Sequence, residues 1–82
     1  MFINKSTDGK NNICGEKVAE LRKGLNVSQR ELADKLQLAG LDIDKNAIQR
    51  IECGKRFVTD IELIAFSKVF EVTLAELLNE KN

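Results

Sequence analysis

Histidine is absent from this 82-residue chain, and cysteine occurs only at Cys14 and Cys53. One copy therefore supplies neither four zinc ligands nor a Cys/His dyad. No apolar run approaches the roughly 18 to 20 residues that a bilayer requires, and the polar opening MFINKSTDGKNN does not read as a signal peptide. The expected location is the cytoplasm, away from membranes. The 5 glycines form no phosphate-binding loop, and most carboxylates sit where they cap or flank helices. No general acid/base constellation remains, so the expectation is a non-enzyme without cofactor, metal or small-molecule substrate.

An excess of one charge is missing too. The 13 Lys/Arg and 13 Asp/Glu give a net charge of zero, whereas nucleic-acid-binding domains are often basic. Their distribution is uneven: residues 1–56 carry 11 basic and 8 acidic side chains, and residues 57–82 carry 2 and 5. The first part is thus +3 and the second −3. A basic portion facing phosphate would bind with modest affinity that salt weakens steeply, because each neutralised phosphate releases counterions.

What is present suits one small domain, since 43% hydrophobic residues can fill a single core in a chain of this length. Residues 1–12 lack periodicity and read as a mobile N-terminal arm, with Lys5 and Lys10 as its candidate DNA-tracking charges. From about Ile13 the apolar residues Cys14, Val18, Leu21 and Leu25 recur at helical spacing and predict helix one. Asn26 suits its left-handed exit. Ser28-Gln29-Arg30-Glu31 is a capping box that opens helix two, with Leu32, Ala33 and Leu36 inward and Gly40 as its stop. Thr59-Asp60-Ile61-Glu62 and Thr73-Leu74-Ala75-Glu76 are two further boxes. They predict helix four, with Leu63, Phe66 and Phe70 inward, and helix five, with Leu74, Leu77 and Leu78. The result is an all-α domain over residues 13–79.

The stretch Asp44 to Arg56 carries the chemistry. On a helical wheel Ala47, Ile48 and Ile51 share one face, and Lys45, Asn46, Gln49, Arg50 and Cys53 crowd the other. Asp44 is its N-cap and Gly54 its left-handed end. Lys and Arg donate to guanine, and Asn and Gln pair bidentately with adenine in the major groove, so double-stranded DNA is the expected partner. Lys55 and Arg56, just past the helix, suit backbone phosphate, as does Gln29 at the start of helix two. Cys14 reads as a core hydrophobe and Cys53 as an exposed, passive neighbour of this surface. A second apolar face on helix four, formed by Ile61, Ile64 and Ala65, is either a homodimer contact or is covered by helix five or the arm.

Together GEKVAELRKG, VSQRELADKL, NAIQRIECGKR and FEVTLAELL resemble the phage-repressor-like helix-turn-helix family of Cro and lambda repressor, also called the XRE family. The resemblance covers about Cys14 to Leu78 and implies a five-helix lambda-repressor-like fold whose helices two and three form the helix-turn-helix. It further implies that Gln29 anchors phosphate, that Lys45, Asn46, Gln49 and Arg50 read bases, and that Arg22 and Glu52 join helix one to helix three. Two features depart from the family pattern. The segment QLAGLDID is longer than the usual turn, through an extended helix two or a projecting loop, and Cys53 replaces a polar or basic residue.

The expected function is a sequence-specific transcriptional regulator, a homodimeric repressor reading a palindromic operator through the helix at 45–52. The alternative is an antitoxin-like or anti-repressor protein-interaction module of the same fold with little affinity for DNA.

Overall fold

In the computed structural model residues 9–78 are described, and they form five α-helices and no strand. These are α1 (Gly15–Gly24), α2 (Gln29–Leu38), α3 (Lys45–Glu52), α4 (Asp60–Phe70) and α5 (Leu74–Leu77). The five-helix, all-α architecture expected from the sequence is the one that forms, with α1 and α2 each packed on both α3 and α4, and α5 packed on α4.

Local chemistry sets the helix starts. Ser28 Oγ accepts from the Glu31 amide at 3.0 Å, and Glu31 Oε1 accepts from the Ser28 amide at 2.9 Å. The boxes at Thr59/Glu62 and Thr73/Glu76 close in the same reciprocal way. Asp44 caps α3 with a 2.8 Å bond from the Ala47 amide. The start of α1 differs, because Cys14 makes no side-chain cap bond and Asn12 Oδ1 accepts from the Gly15 amide instead, at 2.8 Å.

The ends of α1 to α4 share one device. A left-handed residue turns the chain, and the next amide reaches back across the last turn. Asn26, Gly40, Gly54 and Glu71 hold φ of 60°, 97°, 78° and 56°. The reaching bonds run from Val27 to Arg22, Leu41 to Leu36, Lys55 to Arg50 and Val72 to Ser67. Gly40 ends α2 as its composition suggests, and residues 39–44 then form an ordered loop to α3. Gln37 Nε2 donates to the Ile43 carbonyl at 2.9 Å, while Ile43 itself enters the core. The long connection is therefore tied back onto α2.

One core gathers Val18, Leu32, Leu36, Ile48, Ile51, Phe66 and Leu77, with Phe66 and Phe70 stacked at 6.1 Å between ring centroids. Leu25 and Leu74, expected inward, are half exposed. Each sits at a helix end where the chain has turned away, Leu25 at the close of α1 and Leu74 as the first residue of a single-turn α5. On α4, Ala65 is buried in the core, whereas Ile61 and Ile64 remain exposed.

Lys10, Asn11 and Asn12, assigned to the arm from their composition, lie as a strap across the end of α3. The Asn11 amide donates to the Gly54 carbonyl at 2.8 Å, and its side chain to Lys55 at 2.9 Å. Asn12 Nδ2 reaches the carbonyls of Ile51 and Arg56 at 3.1 and 2.7 Å. Lys10 pairs with Glu16 and lies over Gly54. The rest of the expected arm, with Lys5, and residue 79 at the other boundary lie outside the described residues.

This strap draws the start of α1 against α3 so closely that a Cβ on Gly15 would stand 2.2 Å from the Ile51 carbonyl oxygen. Alanine ordinarily favours a helix interior over glycine by about 1 kcal/mol. Here the backbone contact reverses the sign, and Gly15→Ala will lower unfolding free energy in urea by about 1–3 kcal/mol. At Glu71 the opposite holds. A non-glycine residue in the left-handed region is strained, so Glu71→Gly will raise stability in the same assay by roughly 0.5–1 kcal/mol.

Candidate nucleic-acid interface

Ile48 and Ile51 are fully buried and fasten α3 to the core, with Ala47 partly covered beside them. Since side chains four residues apart share a face, Lys45 and Gln49 form one row and Asn46 and Arg50 the next. All four are exposed, as is Cys53. No hydrogen bond or ion pair within the described residues engages the side chains of these four. The polar flank of α3 is a ridge of uncommitted donors.

Open grooves run along both sides of the ridge. One, of about 380 Å³, lies between α2 and the start of α3 and includes Arg30, Asp34, Lys45 and Asn46. The other, of about 440 Å³, is bordered by Asp42, Asn46, Arg50 and Arg56. Asn46 borders both and forms the crest. Asp44 also touches both grooves, but one of its carboxylate oxygens is drawn into the cap of α3.

Glu52 sets the angle between α3 and its neighbours. Its carboxylate receives Arg22 Nε at 2.7 Å and Nη2 at 3.2 Å, and Gln29 Nε2 at 3.0 Å. Arg22 further donates to the Val27 carbonyl at 2.9 Å. The side chains of Arg22 and Glu52 are only 13% and 8% exposed. Removing one member of a pair this buried leaves a charge without compensation, which typically costs a few kcal/mol. Gln29 thus stands at the first position of α2 as expected, with its amide group held by a residue 23 positions away.

Lys55 is exposed just beyond Gly54, its side chain without a partner among the described residues. Arg56 departs from the expectation of a free phosphate-binding cation. Its Nη1 and Nη2 each donate to Glu62 at 2.9 Å, and Nη1 also approaches the Phe57 carbonyl at 3.2 Å. This guanidinium pins the loop after α3 to the first turn of α4. The geometry is that of a scaffold, because Glu62 is buried and needs the charge.

A model of the family described as helix-turn-helix matches residues 18–77. The chain belongs to the helix-turn-helix family. It is also 38% identical over 64 residues to a protein of Enterococcus faecalis named HTH-type transcriptional activator BcrR, a match that covers 78% of this chain and 29% of the relative. No solved structure gives a significant match.

Within this helix-turn-helix domain, sequence reasoning missed the second role of Glu62, which it recognised only as a capping residue. A six-residue offset between Arg56 and Glu62, spanning a loop, carries no helical signature. The strap at Asn11 and Asn12 was missed too, since its partners lie 39 to 44 residues away. Among the described residues no three His, Cys, Asp or Glu side chains come together as a metal site, and no helix is long and apolar enough to cross a membrane. Cys14 is buried, and burial pushes its thiol up to about 11, so it stays protonated near neutral pH.

The Glu62 carboxyl experiences opposing effects. Burial pushes it up, yet hydrogen bonds from Arg56 and Thr59 and the Arg56 charge together hold it below its ordinary 4.5. A carboxyl lowered in the folded state stabilises the fold above its unfolded value and loses that contribution as pH falls through the folded one. Stability measured by urea unfolding will therefore fall as pH drops below about 4.5. Glu62→Gln, less stable at pH 7, will show a shallower acid loss over the same window.

Proposed function

We propose that this domain is a sequence-specific DNA-binding transcriptional regulator in which α3 enters the major groove. Lys45, Asn46, Gln49 and Arg50 read base edges, while Gln29 and Lys55 hold flanking phosphates. The observation that carries this reading is the α3 ridge: four donor side chains unpartnered among the described residues, on a helix whose opposite face is anchored by two fully buried isoleucines. A solvated helix surface would also be polar. It would not require the flanking grooves, or the clasp on Glu52 that sets the start of α2 beside this ridge.

Zero net charge does not oppose the assignment, because several cations are internally neutralised and others are left on one surface. Lys10, Lys17, Arg22 and Arg56 pair with glutamates, whereas Lys45, Arg50 and Lys55 pair with none among the described residues. A single recognition helix buries too little surface for tight specific binding. The proposed regulator therefore acts as a homodimer reading a palindrome with half-sites about one helical turn apart. The exposed Ile61 and Ile64, which border a small open pocket of about 140 Å³ with Leu41 and Lys68, support a pairing surface on α4. The relative named as an activator supports transcriptional control, and its name and the repressor expectation differ only in sign. Transcription from a promoter carrying the operator decides that sign.

Selection of bound duplexes from a random DNA pool tests the reading, with one symmetric consensus as the expected outcome. Asn46→Ala and Arg50→Ala will each weaken binding to that consensus by about 1–3 kcal/mol while leaving thermal unfolding unchanged. A folded chain that ignores all duplexes at low salt would overturn the proposal and support an interaction module instead.

A further inference from the structure

We propose that Arg30 is an additional DNA contact, engaging a backbone phosphate beside the groove that α3 enters. This rests on the reading of α3 given above. The domain has four arginines, at 22, 30, 50 and 56. Arg22 and Arg56 are each committed to a buried or half-buried glutamate. Arg50 belongs to the α3 ridge. Arg30 is on α2, exposed, with no hydrogen bond or ion pair among the described residues.

Its position has little local justification. Arg30 is the second residue of α2, in the first turn, where the positive end of the helix dipole disfavours a cation. Asp34 lies four residues later, the less favourable order for a helical ion pair, and the two do not pair. Nor does Arg30 help the capping box, which Ser28 and Glu31 complete by themselves. What Arg30 does share is the groove of about 380 Å³ with Lys45 and Asn46. A cation on the opposite wall from the first two residues of the ridge meets the strand that borders the groove once α3 is inserted.

The two acids in the same groove are accounted for. Asp44 is engaged with the first turn of α3, and Asp34 stands one turn farther along α2, about 6 Å from Arg30 along the axis and away from its start. A planar guanidinium suits phosphate oxygens, and a contact of this kind fixes register without reading sequence.

The test compares the full chain with Arg30→Ala, Arg30→Glu and Arg30→Lys, using fluorescence anisotropy on the selected consensus duplex and a scrambled one between about 50 and 200 mM salt. Arg30→Ala is expected to weaken both duplexes by the same factor. The slope of log affinity against log salt should fall in magnitude by about 1.8, about 0.9 for each Arg30 of the proposed homodimer, Arg30→Glu should bind more weakly still, and Arg30→Lys should keep the wild-type slope. Thermal unfolding should not be lowered in any of the three, as the side chain makes no hydrogen bond or ion pair among the described residues and its charge opposes the helix dipole. An unaltered slope for Arg30→Ala, or a loss confined to the consensus, overturns the phosphate assignment. If the wild type binds and Asn46→Ala weakens it while Arg30→Ala does not, only this inference fails. If the wild type binds neither duplex, the reading of α3 fails with it.

Discussion

The carboxylate of Glu52 is the point at which three helices are made to agree. It belongs to α3, receives a two-pronged guanidinium from α1 and an amide from the first residue of α2, and is almost entirely covered. A buried carboxylate tolerates few arrangements, because each missing donor leaves charge without solvent or partner. Apolar packing by Ile48 and Ile51 presses α3 into the core but is compatible with small rotations. The directional bonds at Glu52 are not. Glu52 therefore defines which face of α3 is left outward and where the start of α2 stands beside it.

Close approach of backbone supplies a second constraint. The turn before α1 passes over the end of α3, held by amides of Asn11 and Asn12 on carbonyls that the terminus of α3 would otherwise leave open. Only a residue without a side chain fits at Gly15, directly against the Ile51 carbonyl. Residues 51–56, at the end of the proposed reading helix, are thus the seat for the segment that leads into α1. Motion of α3 relative to α1 would break both the strap and the Glu52 clasp, which argues for a rigid, preformed surface.

Charge is sorted by tertiary structure. The overall balance of 13 against 13 says nothing about which charges meet. Glutamates at 16, 20, 52 and 62 take up four cations, so arginine and lysine act in two ways here: as ion-pair partners within the fold and, at Lys45, Arg50 and Lys55, as donors around α3 with no partner among the described residues.

Local signals were legible without coordinates. The capping boxes at Ser28, Thr59 and Thr73, the cap at Asp44, the left-handed stops at Asn26, Gly40 and Gly54, and the two-sided wheel of α3 depend on residues no more than a turn or so apart. The sequence therefore determined five helices, the starts of α2 to α5 and the outward row at 45, 46, 49 and 50. Partners distant along the chain were decided only when the helices packed. Arg56 was withdrawn onto Glu62, Gln29 was oriented by one amide bond to Glu52, and Asn11 and Asn12 were recruited across the end of α3. Leu25, Leu74, Ile61 and Ile64 were left outside because a stripe of apolar residues states how a helix is patterned, not where its neighbours end. Hydrogen bonding at helix ends is a local equilibrium, whereas burial and charge pairing are properties of the assembled core.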